Sequence, residues 1–512
     1  MTARAYDWVT FNARRRGSAT AAVDLHSGRR FTYAAFDDRV ERAAGFLASH
    51  GVLRGDRVAA LARNTTDTLE LQFACARLGA LYLPLNWRLA VPELEYILGD
   101  ARPSVLLHQP EFAEAVAAVA KSAGVRHRLG LGDGAVDSDY ERGLAAGHAA
   151  SPRPALTHAD PWVVMYTSGT TGRPKGAVIT HGTILFNIAN VMPFTDLSAT
   201  MVNLIFGPLF HTGALSAYTM PAFYFGATTL VMRAFDAGEV LRRVSDPALG
   251  VTHINGAVTM YNMMMQHPSF ASADFSRIRC ATISGESCPR SLLERYWNEK
   301  KLPLQNIYGL TESGPTTTAL DRDQAITRLG SVGTTVLNTQ VRLVARDGRD
   351  VPVGEVGEVW LRGPSVIPGY WNKPPLNPES FTGDWLRTGD AARRDGDGYY
   401  FLVDRWKDMY ISGGENVYPA EVENVIYQIE GVAEAAVIGV PHARWGESGR
   451  AVVVRKSGSS LTEAAIIAHC RDRLAHFKAP ASVVFVEGLP RSAGGKVIKP
   501  LLRQAHGQAI PA

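Results

Sequence analysis

Residues 162–176 read WVVMYTSGTTGRPKG. Trp162, Val163, Val164, Met165 and Tyr166 make an apolar strand run, and Thr167, Ser168, Gly169, Thr170, Thr171, Gly172, Arg173, Pro174, Lys175 and Gly176 follow as a loop of hydroxyls and glycines. Glycines let backbone approach a ligand closely, consecutive N–H groups form an anion nest, and the hydroxyls add donors. A polyphosphate needs many donors and a cation, which Lys175 supplies. The spacing departs from G-x-x-x-x-G-K-[ST], because Arg173 and Pro174 separate Gly172 from Lys175, and no G-x-G-x-x-G follows a strand run. The expected ligand is a nucleoside triphosphate, held by a loop of another type than that of the kinase-like NTPases.

Outward from this loop, apolar runs and helical periodicity alternate. Residues 31–51 carry Thr32 as N-cap, Val40, Ala43, Ala44 and Leu47 at helical spacing, and Gly51 as a stop. Runs at 58–61, 81–85 and 105–107 interleave with helical segments at 68–78 and 92–98, which predicts α/β layering. Between Asp196 and Arg233 no Asp, Glu, Lys or Arg occurs. Pro208, His211, Gly213, Pro221 and Gly226 interrupt that stretch, so it reads as a buried helix followed by a buried strand rather than a membrane span. Residues 340–344 and 355–362 alternate in polarity around the Asp347-Gly348 turn, a β-rich part. A Gly-, Asp- and Arg-rich stretch at 384–398, then YYFLV and DRWKD at 404–408, marks a boundary between residues 1–406 and 407–512. Beyond it Pro419 opens a helix through Val422, Val425 and Ile429. Strands at 435–440, 451–454 and 483–486 and a helix with Ile466, Ile467, Cys470 and Leu474 complete a small α+β domain. The fold class is α/β: a large multi-layer first domain with a small β-rich subdomain, and a small mobile second domain.

Composition bounds the function. The 512 residues are 46% hydrophobic and 20% charged, enough for a large core, and 53 Lys and Arg against 49 Asp and Glu leave a formal +4. So weak a balance excludes a nucleic-acid partner. Cys75, Cys280, Cys288 and Cys470 lack metal or disulfide spacing, and no apolar run follows the basic amino terminus, so a cytoplasmic protein without integral membrane association is expected.

Further motifs follow in order. In NIYGLTES at 306–313, Tyr308 offers a ring for a base, Thr311 a donor to phosphate, and Glu312 a carboxylate for Mg2+. Thr388-Gly389-Asp390 puts a carboxylate in a glycine turn, Ser284-Gly285-Glu286-Ser287 follows an apolar strand, and PRSAGGK at 490–496 ends on Lys496. With YTSGTTGRPKG these motifs resemble the adenylate-forming superfamily, to which acyl-CoA synthetases belong, and the resemblance spans the chain from Phe31 to Lys496. It implies ATP, Mg2+ and CoA as cofactors. Thr167, Ser168, Gly169, Thr170, Thr171, Gly172 and Lys175 would hold the phosphates, with Thr171 and Glu312 at the metal. Gly285, Glu286, Asn306 and Tyr308 would hold the adenine, and Asp390 and Arg405 the ribose. Lys496 is the implied cation of the first half-reaction, Thr311 a catalytic donor to phosphate, His211 a catalytic residue at the acid pocket and channel mouth, and Lys407 the hinge of the small domain. Ser412, Gly413, Gly414, Trp445 and Gly446 would line the thiol channel. The family more often has glycine or alanine where Glu286 and Ser287 stand, and some relatives carry lysine at Ile411.

A carboxylate is a poor acyl donor until converted to a mixed anhydride. The resemblance implies that the acid attacks the α-phosphate, pyrophosphate leaves, and a thiol then expels AMP. No protein nucleophile is required, and catalysis rests on positioning and electrostatics. The acid-pocket segments carry Gly213, Ala214, Ala217, Gly256, Ala257, Met260, Met263, Met264 and Gly309, small or adaptable residues without a cation for a second carboxylate. A hydrophobic monocarboxylic acid is expected. Alternatives are a ligase that loads a carrier-protein phosphopantetheine and a silent nucleotide binder. The silent binder predicts loss of Lys175, Glu312 or Lys496, all of which are present. Oligomeric state stays open, a homodimer included.

Overall fold

The computed structural model describes residues 3–120, 123–132, 137–147, 153–167, 174–285, 288–406, 408–412, 415–491 and 497–510, with backbone alone at 120, 405 and 416. The chain forms two compact units, Met1–Val341 with Leu361–Leu386, and Arg342–Trp360 with Arg387–Ala512.

The first unit is built on two sheets whose central strands are parallel, as the continuous apolar runs require. One sheet has the order His127–Gly130, Val105–His108, Arg57–Leu61, Leu81–Leu85, Pro161–Thr167 and Lys175–Thr180, and only its last pair is antiparallel. The other runs Leu304–Tyr308, Cys280–Ser284, His253–Ala257, Val202–Ile205, Thr228–Val231 and Thr20–Asp24 in parallel, flanked by short antiparallel strands. Neighbours pair as Ala257 with Ser284 and Ile283 with Asn306, so Gly256, Ala257, Gly285, Tyr308 and Gly309 gather at adjacent carboxyl ends. Ligands of open α/β sheets bind at that edge. The expected helix is Tyr33–Ser49, where the Thr32 hydroxyl accepts from the Ala35 amide and Val40, Ala43, Ala44 and Leu47 are buried.

The uncharged stretch departs from expectation, because strand Val202–Ile205 precedes the helical part and strand Thr228–Val231 follows it. Asn203 interrupts the first run's apolar character, yet it is buried between neighbouring parallel strands. Among the described residues no helix is long and apolar enough to cross a membrane.

A buried charge cluster ties the first helices together. Arg39 donates to Glu70 at 2.7 Å and Glu141 at 2.7 Å, Arg29 to Asp67 at 2.9 Å, and Tyr140 to Glu70 at 2.9 Å. Three carboxylates thus face two guanidiniums. Burial first, then the neighbouring Glu70, pushes Asp67 up to about 7 against the pull of Arg29 and Arg39. Below about pH 4 this carboxyl is protonated whether the chain is folded or unfolded. Between about 4 and 7 the unfolded chain releases a proton that the folded one keeps, so this group makes stability fall as pH rises. Asp67→Asn removes that titration. Its unfolding temperature relative to the unaltered protein is expected to climb by a few degrees from pH 4 to pH 8, whereas a constant difference would refute the assignment.

The second unit carries a sheet of Glu415–Val417, Tyr410–Ser412, Gly446–Arg455 and Val432–His442, with Ser482–Phe485 parallel to Gly446–Arg455. Helix Pro419–Ile426 has Pro419 in its first turn, as expected, and Val422, Ile426, Ile466 and Cys470 meet in the core. Ile429 lies past the helix end, although it still packs on that core. Strands Gln340–Val344 and Val356–Arg362 flank the Asp347-Gly348 turn.

Candidate active site

Thr167 and Lys175 face each other across the antiparallel pair Pro161–Thr167 and Lys175–Thr180, so the residues on either side of the hydroxyl-rich run lie opposite one another. Ser168, Gly169, Thr170, Thr171, Gly172 and Arg173 lie outside the described residues. At the hairpin base the Thr167 hydroxyl donates to Glu312 Oε1 at 2.9 Å, and the Tyr370 hydroxyl donates to the same oxygen at 3.1 Å. Burial, and then the Glu312 charge, raise the Tyr370 phenol and keep it a donor. Glu312 sits in the short turn Thr311–Ser313 directly after strand Leu304–Tyr308, with Thr311 buried beside it.

Tyr370 reaches this site because residues 369–371 run beside strand Lys175–Thr180: the Trp371 amide donates to Gly176 O at 2.7 Å and the Val178 amide to Gly369 O at 3.2 Å. The half-buried Lys175 ammonium meets Glu379 at 3.1 Å and lies 5.5 Å from the Tyr370 ring centroid. Sequence reasoning singled out neither Tyr370 nor Glu379. The aromatic pair Tyr370-Trp371 after Gly369 is the signal that was available for the first; Glu379 has none.

Among the residues expected to line the acid pocket, Gly213 is tied by the Asn255 amide, which donates to Gly213 O at 3.0 Å, and the Asn255 carbonyl accepts from the Thr282 hydroxyl at 2.9 Å. This chain links Gly213 to the strand ends that carry Gly256 and Ala257. Gly213 and Ala214 belong to a single helical turn, Thr212–Ala214, and Ala217 is buried in the π turn Leu215–Thr219. The π turn has a local cause. Met220 N–H donates five residues back to Leu215 O, but Pro221 has no N–H for Ser216 O, which Asn187 Nδ2 takes at 3.0 Å. The Thr219 hydroxyl also donates to Ala214 O at 2.8 Å. His211 is exposed just before this segment. Met260 is half-buried, while Met264 belongs to the core and Met263 faces solvent, so the methionines do not form one surface.

Gly309 carries no side chain for a steric reason, since a Cβ there would fall 1.7 Å from Pro315 O. Asn306 is buried with its amide donating to Ser331 O at 3.1 Å. Tyr308 is buried and Gly285 has a positive φ of 94°. Glu286 lies outside the described residues.

In the second unit, Thr388 donates to Val359 O at 2.8 Å and accepts from the Asp390 amide at 3.0 Å, which fixes the turn around Asp390. Asp390 pairs across strands with Arg405, whose backbone alone is described. Ser412 pairs with Gly446, and the Ile411 amide donates to Glu447 Oε2 at 2.9 Å, so two segments far apart in sequence adjoin. Trp445 is 41% exposed, with the Arg444 guanidinium 4.6 Å from its ring centroid. Lys407, Gly413, Gly414 and Lys496 lie outside the described residues.

Two family models cover this chain: the AMP-binding enzyme model matches residues 9–371, and the AMP-binding enzyme C-terminal domain model matches residues 421–496. The chain belongs to the AMP-binding enzyme family. Among members, it is 43% identical to a feruloyl-CoA synthase of an Amycolatopsis species over 98% of both chains. It is 38% identical to an indoleacetate–CoA ligase of Aromatoleum aromaticum, over 94% of this chain and 97% of that one. The ATP-bound crystal structure of MatB from Rhodopseudomonas palustris matches with a TM-score of 0.89 at 30% identity, over 98% of this chain and 99% of that one. AMP-binding enzymes of this adenylate-forming type thus share its α/β first part and its smaller C-terminal part.

Proposed function

We propose that this chain is an AMP-forming acid–CoA ligase whose acid carries an aromatic ring. The observation that carries the reading is its similarity, over nearly full length, to enzymes named for feruloyl and indoleacetyl thioesters. Acid–CoA ligases of this type use ATP, Mg2+ and CoA. The Glu312 donor set fits a hard cation: Oε1 is held by two hydroxyls, and among the described residues Oε2 accepts nothing. Glu312, with Thr171, would hold Mg2+, which lowers the charge on the phosphates. Thr167 and Tyr370 orient that carboxylate.

Lys175, freed from Glu379, and the loop at 168–172 receive the leaving pyrophosphate, with Thr311 as a further donor. Tyr308, Gly285, Glu286 and Asn306 bound the adenine, and Asp390 with Arg405 takes the ribose hydroxyls. Lys496 supplies a cation where the acid's carboxylate attacks the α-phosphorus. Residues 407–512 then turn about Lys407, and the CoA thiol enters past Ser412, Gly413, Gly414, Trp445 and Gly446 to attack the acyl carbon and release AMP. Gly213, Ala214, Ala217, Gly256, Ala257, Met260 and Gly309 leave room for the acid, with His211 at the mouth. The four thiols stand unpaired, which supports a reducing, cytoplasmic setting.

Pyrophosphate release with ATP and Mg2+ across aryl, arylalkanoic, fatty and polycyclic acids, with and without CoA and with mass detection of the product, tests this reading. The expected result is an aryl- or arylalkanoyl-CoA at the highest kcat/KM. Preference for an unbranched fatty acid would overturn the acid class. Arrest at acyl-AMP would move the acceptor to a carrier protein, and no release would leave a silent nucleotide binder.

A further inference from the structure

Residues 387–406 lie before the hinge residue of the proposed function, yet they pack into the compact body that contains the residues after it. The packing is specific. Val356, Ala391 and Val403, all before residue 407, share an apolar cluster with Met409 and Tyr418, which follow it. Across the same divide the Asp404 carboxylate accepts from the Ala420 amide at 2.7 Å. That amide belongs to the first turn of helix Pro419–Ile426, whose own N-cap residue, Tyr418, offers no side-chain acceptor. Asp404 is therefore a remote N-cap, and a carboxylate at a helix N-terminus also opposes the helix dipole. Lys499, half-buried on the C-terminal helix, pairs with Glu423 at 2.8 Å. Arg503, one turn later, holds Asp408 at 2.9 Å.

These contacts differ in what a rotation about residue 407 does to them. Lys499–Glu423 and Arg503–Asp408 join groups that all follow the hinge, so they travel together. Asp404–Ala420 joins groups on opposite sides and exists in one orientation only. We propose that Asp404 is an orientation latch: capping helix Pro419–Ile426, it stabilises one of the two domain orientations and so sets the balance between adenylation and thioester formation. The proposal rests on the two-orientation reading of the proposed function. Asp404 is a positioning residue, acting through the population of the orientation that each half-reaction needs.

The test measures each half-reaction separately in the full chain: pyrophosphate formation in single turnover from acid and ATP, and acyl-CoA formation from supplied acyl-AMP and CoA. Asp404→Ala, which removes cap and charge, is expected to slow one half-reaction about tenfold while the other holds or gains rate, as for loss of a charge-assisted hydrogen bond. Asp404→Asn keeps an acceptor oxygen for the Ala420 amide and is expected to restore part of the balance. Equal loss in both half-reactions, or no change in either, would overturn the latch. Failure of the proposed function itself shows separately, as absent pyrophosphate formation in the unaltered protein.

Discussion

Glu312→Gln is expected to lower the rate of pyrophosphate formation by about 10²- to 10³-fold, the range typical for removing one well-placed electrostatic contact in a reacting site. The substitution keeps the shape of the side chain. The Gln carbonyl oxygen can still accept from Thr167 and Tyr370, which now hold Oε1 at 2.9 and 3.1 Å, so the hairpin base and the turn after strand Leu304–Tyr308 should fold unchanged. What disappears is the negative charge offered to a divalent cation. A hard oxygen site that loses a carboxylate binds Mg2+ more weakly, so the Mg2+ concentration for half-maximal rate should rise along with the fall in kcat. Acyl-CoA formation from supplied acyl-AMP should stay within a few fold of the unaltered protein, because no pyrophosphate departs in that step. Unchanged adenylation with an unchanged Mg2+ requirement would remove Glu312 from the proposed site.

Lys496→Ala is expected to show the same half-reaction split for a different reason. The acid's carboxylate and the α-phosphate are both anionic, and their approach is opposed until a cation sits between them. Loss of that cation should cost adenylation about 10²- to 10³-fold and leave the second half-reaction nearly intact. Lys499, three residues on, is no substitute, since it is half-buried and paired with Glu423. The Mg2+ dependence distinguishes the two variants: it should shift for Glu312→Gln and stay put for Lys496→Ala. Parallel loss of both half-reactions in Lys496→Ala would instead indicate a damaged C-terminal body.

Local chemistry made much of the fold legible. Thr32 capped the helix it was expected to cap, Pro419 opened the next one, and the apolar runs at 58–61, 81–85 and 105–107 became parallel strands. The missed strand Val202–Ile205 shows the limit: four residues with a polar Asn203 carry little period of their own, and their strand character comes from neighbours in the sheet. The site divides in the same way. Thr167, Lys175 and Glu312 announced themselves by residue type within recognisable runs. Tyr370 and Glu379 act on them from 58 and 204 residues away, through a segment laid beside strand Lys175–Thr180. Pairing of that kind is decided by tertiary packing, and a single sequence read locally does not contain it.

The π turn at Leu215–Thr219 lets the segment around Ala217, part of the proposed acid pocket, vary in length. It is equivalent to one surplus residue within an otherwise α-helical path, tolerated because Asn187 and Thr219 satisfy the carbonyls it displaces. Deletion of one residue there would restore α-helical hydrogen bonding and leave the faces before and after it in phase, because the π turn already absorbs the surplus residue, while strands Val202–Ile205 and His253–Ala257 stayed in place. Length variation at this point would thus reshape one stretch of the proposed acid pocket without repacking the neighbouring sheet.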